Sequence, residues 1–132
     1  MLNVDIRKID NELPDFPFAK GLKKAFSKKE LEKMEKEAKK IKEGLKIINE
    51  KNEMTFEDMK KCYTTIMNEL FGDLALKKAY KIKNMAVGLE RDYIWDLINR
   101  MEKDIEIAKK QGPEYRDFII KSLDGTKQKP KR

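Results

Sequence analysis

The side chains that could carry out catalysis are few in this sequence. Its 132 residues include no histidine and a single cysteine, Cys62. Serine and cysteine nucleophiles are commonly activated by a neighbouring histidine, which is also a frequent general base and metal ligand. Cys62 falls within a helical pattern, where a small buried thiol is the expected state. The sequence therefore predicts a protein that is not an enzyme and that uses no cofactor.

Two pairs of acidic residues have a spacing that places both carboxylates on one face of a helix. They are Asp92 with Asp96 and Glu102 with Glu106. Carboxylate oxygens bind Mg²⁺, so one alternative is a metal-dependent nuclease that uses Asp92 and Asp96. Basic neighbours such as Arg91 favour a solvated, ion-paired face instead. Zinc lacks enough ligands of the kinds it prefers, and we predict no metal site.

Basic side chains are abundant and unevenly distributed. The chain has 31 lysines and arginines against 24 acidic residues, a formal charge of +7. Lysine contacts nucleic-acid phosphates without reading the base sequence, so we predict nucleic-acid binding; the alternative is a solvated face that binds nothing. The candidate residues form two clusters, one arginine between them and the tail, and are Lys20, Lys23, Lys24, Lys28, Lys29, Lys77, Lys78, Lys81, Lys83, Arg91, Lys127, Lys129, Lys131 and Arg132.

Two further patterns bear on nucleic-acid recognition. If Gly88 is the turn glycine of a helix-turn-helix motif, the recognition helix opens with residues 90–93, where two acids would repel phosphate. The apolar positions of that motif would be Val87, Leu89, Ile94 and Leu97. Tyr93 and Trp95 could stack on bases. Their positions beside the apolar stripe of the same helix favour a place in the core.

The elements that would position these side chains are helices. Ser27 and Glu30 have the spacing of a capping box and predict the start of a helix over about 28–51. Its apolar residues recur in steps of three and four, as in a heptad repeat. The alternative function is therefore a protein–protein adaptor, in which segment 13–18 and this stripe meet a partner. The stripe residues assigned to that partner are Leu31, Met34, Ile41, Leu45 and Ile48.

Turn signals divide the rest of the chain. Further helices are expected over about 18–26, 56–70, 74–86 and 89–110, with a last helix after Pro113. Alternating Leu2, Val4 and Ile6 indicate a strand-like segment in an extended arm, residues 1–17. Residues 125–132 predict a disordered basic tail. The expected fold is all-α: a single-domain bundle of five to six helices over 18–124, with one long heptad-patterned helix.

One segment resembles a known family. A helix that ends in Leu70-Phe71-Gly72-Asp73 and is followed by another helix occupies Ile66–Lys83. This arrangement is similar to the helix–Phe-Gly–helix pattern of tail-assembly chaperones from phages that infect low-GC bacteria. The resemblance implies an assembly-factor role, which falls under the adaptor alternative.

The sequence also carries expectations about location. No apolar run approaches the roughly 18 residues that a membrane-spanning helix requires, and the first residues lack the pattern of a secretion signal. A single cysteine cannot form an internal disulfide. We therefore expect a cytoplasmic protein that does not contact membranes.

Overall fold

A computed structural model describes residues 3–127, and all regular structure in that range is helical. The elements are α1 (Ile6–Glu12), a 3₁₀ helix (Lys20–Ala25), α2 (Lys28–Glu50), α3 (Phe56–Met85) and α4 (Gly88–Lys127). The predicted all-α class is confirmed. The predicted number of helices is wrong. Two pairs of expected helices are each continuous, the segment expected over 18–26 is a 3₁₀ helix, and α1 was not expected, so the described range holds four α-helices.

The two longest helices, α3 and α4, form an antiparallel hairpin that makes the most extensive interface in the described chain. With 30 and 40 residues, they are about 45 and 60 Å long at 1.5 Å per residue. Side-chain pairs mark their register: Glu69 with Arg116, Asp73 with Lys109, and Tyr80 with Glu102. α2 packs against both helices of the hairpin.

Gly72 lies inside α3 and does not end a helix, so the predicted break between 56–70 and 74–86 is wrong. A Cβ atom at Gly72 would lie 2.6 Å from Cγ1 of Ile105, which is buried on α4. The glycine allows α3 and α4 to approach closely. Its role is in helix packing, and Asp73 continues the helix as an exposed residue.

Pro113 lies inside α4, so the predicted ends at Gln111–Pro113 and at Asp124-Gly125 are also wrong. Proline removes a backbone hydrogen bond and tends to break helices. Here contacts with α3 on either side of the proline hold the helix. Gly112 packs so closely on Glu69 that a Cβ would meet that side chain, and Arg116 donates two hydrogen bonds, of 2.9 and 2.8 Å, to the Glu69 carboxylate. Residues 128–132 of the predicted tail lie outside the described residues.

The start of α2 is confirmed. The Ser27 hydroxyl accepts from the backbone N–H of Glu30 at 3.1 Å, and the Ser27 backbone N–H donates to the Glu30 carboxylate at 2.8 Å. Together these bonds satisfy two backbone donors that would otherwise be unpaired. The Thr55 hydroxyl caps α3 in the same way and accepts from the backbone N–H of Asp58 at 3.1 Å.

The apolar stripe of α2 faces the interior of the chain. Four of its residues, Met34, Ile41, Leu45 and Ile48, are buried in the core, and Leu31 is half-buried against them. Because the chain's own helices cover the four buried side chains, these four present almost no surface to a partner in this structure.

The predicted extended arm is wrong over Ile6–Glu12. Ile6–Glu12 form a helix because the Asp5 carboxylate accepts from the backbone N–H of Arg7 at 2.9 Å, and because Ile9 on its inner face is fully buried. The following turns fix the segment to the core, where the Tyr63 hydroxyl donates to the Pro14 carbonyl at 2.6 Å.

The helix predicted over 18–26 is a shorter 3₁₀ helix that packs against α3. This 3₁₀ helix has six residues, which is longer than the roughly three or four residues usual for that geometry. Leu22 and Phe26 are buried, as the spacing predicts, whereas Phe18 is exposed.

Candidate binding surface

The fold brings the two predicted lysine clusters together. Lys78 of α3 forms an ion pair with Glu30 at the start of α2, with Nζ 3.2 Å from the carboxylate. The same ammonium lies 5.8 Å from the centre of the Phe26 ring, just after the 3₁₀ helix. Residues about 50 positions apart in sequence therefore share one face of the molecule.

Exposed lysines surround this junction. We refer to them as the lysine surface, which consists of Lys23, Lys24, Lys28, Lys29, Lys77 and Lys81. The acid at its centre, Glu30, is neutralised by Lys78. The pKa of Glu30 is held below its usual value, first by the backbone N–H of Ser27 and then by Lys78. The lysine surface therefore presents ammonium groups around an acid whose charge is already paired.

Three of the candidate residues are not part of the lysine surface, because they make other contacts or lie outside it. Lys78 is half-buried in the ion pair with Glu30, and Lys83 is half-buried against aromatic rings on the opposite side of α3. Arg91 is exposed in the first turn of α4. The side chains of Lys20 and Lys127, and the residues Lys129, Lys131 and Arg132, lie outside the part of the chain that the structure describes.

Trp95 is half-exposed on the side of the hairpin away from the lysine surface. The Lys83 ammonium lies 4.4 Å from the centre of its ring, and Tyr80 meets it edge-on with 6.5 Å between centroids. The Tyr80 hydroxyl donates to Glu102 at 3.0 Å, and this bond raises the pKa of the phenol. Since Lys83 covers the Trp95 ring, this face is not an open platform for bases. The predicted core position is also wrong, because 45% of Trp95 is exposed.

The turn between α3 and α4 exposes apolar side chains that the sequence pattern did not single out for binding. Met85, Val87, Leu89 and Tyr93 are all exposed. Met85 lies on the apolar face of the helix predicted over 74–86, and Tyr93 was expected in the core. A signal was present in the sequence, since Val87-Gly88-Leu89 places two large apolar residues beside a helix-breaking glycine. Turns are usually polar, and an apolar turn indicates a contact beyond the local chain.

The helix-turn-helix interpretation is wrong. Gly88 does separate two helices, with a positive φ of 63°, but α3 and α4 then run antiparallel and pack along much of their length. In a helix-turn-helix motif the second helix crosses the first at roughly 90–120°. Residues 90–93 therefore open the return helix of a hairpin, and no separate recognition helix begins at Gly88.

The groups considered for catalysis do not assemble into a site within residues 3–127. Cys62 is fully buried, and burial raises the pKa of its thiol to about 12, which keeps it protonated and unreactive at neutral pH. In the described range no three acidic or cysteine side chains converge in a way that could hold a metal ion. Among the described helices, none has the length and apolar character needed to cross a membrane.

Comparison with known proteins adds no relative: no family model, no curated protein and no solved structure matches this chain.

Proposed function

We propose that this is a non-enzymatic binding protein that contacts nucleic-acid phosphates through the lysine surface. The observation that carries the proposal is the junction at Lys78 and Glu30, which joins two lysine clusters distant in sequence into one positive face. Closely spaced cations on one face raise the local concentration of a polyanion and speed its association.

The positions of Lys28 and Lys29 support a role outside folding. Both lie in the first turn of α2, where the positive end of the helix dipole disfavours cations. Helix stability therefore does not account for them. A bound phosphate, by contrast, would interact favourably with the ammonium groups and with the positive end of the helix.

The binding would be electrostatic. Lysine provides a point charge, whereas arginine provides the fork that reads guanine edges, and the lysine surface contains no arginine. We therefore expect similar affinity for duplexes of different sequence and a steep dependence on salt.

The test compares two variants of equal net charge. One replaces Lys23, Lys24, Lys77 and Lys81 on the lysine surface with glutamine. The control replaces Lys51, Lys60, Lys61 and Lys121, which are exposed near the other end of the hairpin; Lys60 lies about 30 Å from Lys81 along α3. Affinity for a labelled duplex and a labelled single strand is measured between about 50 and 200 mM salt.

Each phosphate contact contributes about −0.9 to the slope of log affinity against log salt for duplex DNA. Loss of four contacts should make the slope less steep by up to about 3.6. The control variant should retain a slope close to that of the unmodified protein. Absence of binding at the lower salt, or equal weakening of both variants, would contradict the proposal.

A further inference from the structure

The end of the α3–α4 hairpin carries an exposed apolar cluster, which we call the apolar tip: Met85, Val87, Leu89 and Tyr93. The exposed fractions of these residues are 77, 81, 87 and 60%. Single exposed apolar residues are ordinary, but a contiguous group on one corner of a protein usually marks an interaction site. Leu89 and Tyr93 lie one turn apart on α4, Met85 ends α3, and Val87 lies in the turn between them.

A cavity continues from the apolar tip into the molecule. Its volume is about 250 Å³, and Tyr93 forms part of its wall together with Ile82 and Leu22. A second cavity of about 240 Å³ shares Ala19, Leu22 and Leu97 with the first and extends along α4. Tyr93 therefore joins the apolar tip to a concave, largely apolar track that could receive side chains from another molecule.

Positive charge borders this track. Lys24 contributes to the wall of the first cavity, and Lys81 precedes Met85 by one helical turn on α3. Arg91 is exposed between Leu89 and Tyr93, but Glu90, which also lines the first cavity, and Asp92 outweigh its charge. The positive border therefore consists of the two lysines. An apolar centre with lysines along one edge is complementary to a segment that is apolar on one side and acidic at its margin.

We propose that the apolar tip and its adjoining cavity bind an amphipathic helix of a partner protein whose polar margin is acidic. A helix suits the site because the described residues contain no strand whose edge an extended peptide could join. Its large apolar side chains enter the cavity beside Tyr93, and its carboxylates face Lys24 and Lys81. This goes beyond phosphate binding, since Met85, Val87 and Leu89 offer nothing to a phosphate.

Charge argues against two other occupants. A second copy docked by the same face would bring two lysine surfaces towards each other, and like charges oppose such a contact. An anionic membrane would attract the lysines, but insertion of the tip would also carry Glu90 and Asp92 into the negative headgroups. An acidic helix carries no lysine surface of its own, and it can turn its carboxylates towards Lys24 and Lys81 while its uncharged residues face Glu90 and Asp92.

The test uses three labelled synthetic helical peptides of about 18 residues. The first has leucines at i, i+3, i+4 and i+7 and glutamates at the margin. The second replaces the glutamates with lysines, and the third replaces the leucines with serines. Fluorescence anisotropy with the full chain should show the first binding at least about tenfold more tightly than either of the others.

Two double variants locate the contact. Val87→Ser with Leu89→Ser removes apolar surface at the tip, and Ile107→Ser with Phe118→Ser removes exposed apolar surface elsewhere on α4. The tip variant should bind the acidic peptide at least about tenfold more weakly, whereas the control should bind it as the unmodified protein does. Circular dichroism verifies that both variants keep their helices, and oligonucleotide binding by the tip variant should be unchanged.

The proposal is overturned if the acidic peptide binds no more tightly than the others, or if the tip variant binds it normally. Sedimentation that shows a dimer lost in the tip variant would assign the tip to a second copy. Binding to phosphatidylserine vesicles that is lost in the tip variant would assign it to a membrane. Because oligonucleotide binding is measured separately on the same variants, failure here is distinguishable from failure of the proposed function.

Discussion

Ionisation of Cys62 makes the free energy of unfolding of this protein change with pH in the alkaline range, by an amount that can be calculated. In the folded chain burial raises the thiol pKa to about 12, whereas the ordinary value is 9.0. Between these pH values the folded state holds a proton that the unfolded state has released. Stability therefore falls as the pH rises, by about 1.36 kcal/mol per pH unit for this single group. At about pH 11 the loss amounts to about 2.7 kcal/mol.

The variant Cys62→Ala removes this pH dependence, and it lowers the free energy of unfolding by an amount that does not change with pH. Truncation of a small buried side chain lowers the free energy of unfolding by on the order of 1 kcal/mol at any pH. The unmodified protein should therefore be the more stable of the two near neutrality. The two stabilities should become equal near pH 10 and reverse above it, by about 1.7 kcal/mol at pH 11.

Urea unfolding followed by circular dichroism, at several values from about pH 7 to 11, measures both proteins under the same conditions. Lysines and tyrosines also titrate in this range, but they are common to both chains and cancel in the difference. A difference that stays constant with pH would show that the thiol ionises as readily in the folded state as in the unfolded one. Burial would then not be what keeps Cys62 protonated and unreactive.

Three further substitutions test the packing. Gly72→Ala should lower the free energy of unfolding in urea by up to about 2 kcal/mol, because overpacking against Ile105 outweighs the gain in helix propensity; a more stable variant would contradict the close approach of α3 and α4. Tyr63→Phe removes the 2.6 Å hydrogen bond to the Pro14 carbonyl and should cost about 1–2 kcal/mol, measured in the same way. Gly88→Ala places a side chain at a φ of 63° and should lower the thermal midpoint through a cost of about 1–2 kcal/mol; an unchanged midpoint would argue against this turn geometry.

Local signals predicted the structure well where the chemistry is local. The capping box at Ser27 and Glu30 depends on two hydrogen bonds between residues three apart, and the structure contains both. Burial of Cys62 follows from its place on the inner face of a helix. These features need no knowledge of what packs against them.

The sequence-based prediction failed where a residue distant in sequence packs against a glycine or a proline that would otherwise end a helix. Gly72 has the composition of a helix end, yet Ile105 lies against it, and the same absence of a side chain serves packing. Pro113 would end an isolated helix, but Glu69, more than 40 residues earlier, contacts the helix on both sides of it. The alternation at Val4 and Ile6 predicts a strand, but the Asp5 side chain caps a helix that begins at Ile6.

The candidate site depended on the same kind of long-range information. Each lysine cluster is visible in the sequence, but the ion pair between Lys78 and Glu30 that joins them is not. Exposure of Met85 and Tyr93 could not be predicted from hydrophobicity, because a helical pattern assigns both residues inward positions. Only the sharp reversal at Gly88 places them at the end of the hairpin.

The distribution of close packing along the molecule explains why binding would occur at this end. Away from the turn, Gly44 lies against Ile119 and Gly112 against Glu69, so helices α2, α3 and α4 approach at distances that fix their relative positions. At the turn, a Cβ added to Gly88 would meet nothing within 4 Å. The hairpin is therefore held firmly along its length while its end projects apolar side chains next to the lysine surface.

A ligand that meets a preformed surface of this kind avoids the cost of ordering the chain. Because Lys24 and Lys81 belong to both proposed contacts, a polyanion and an acidic helix would occupy this end in turn and not together.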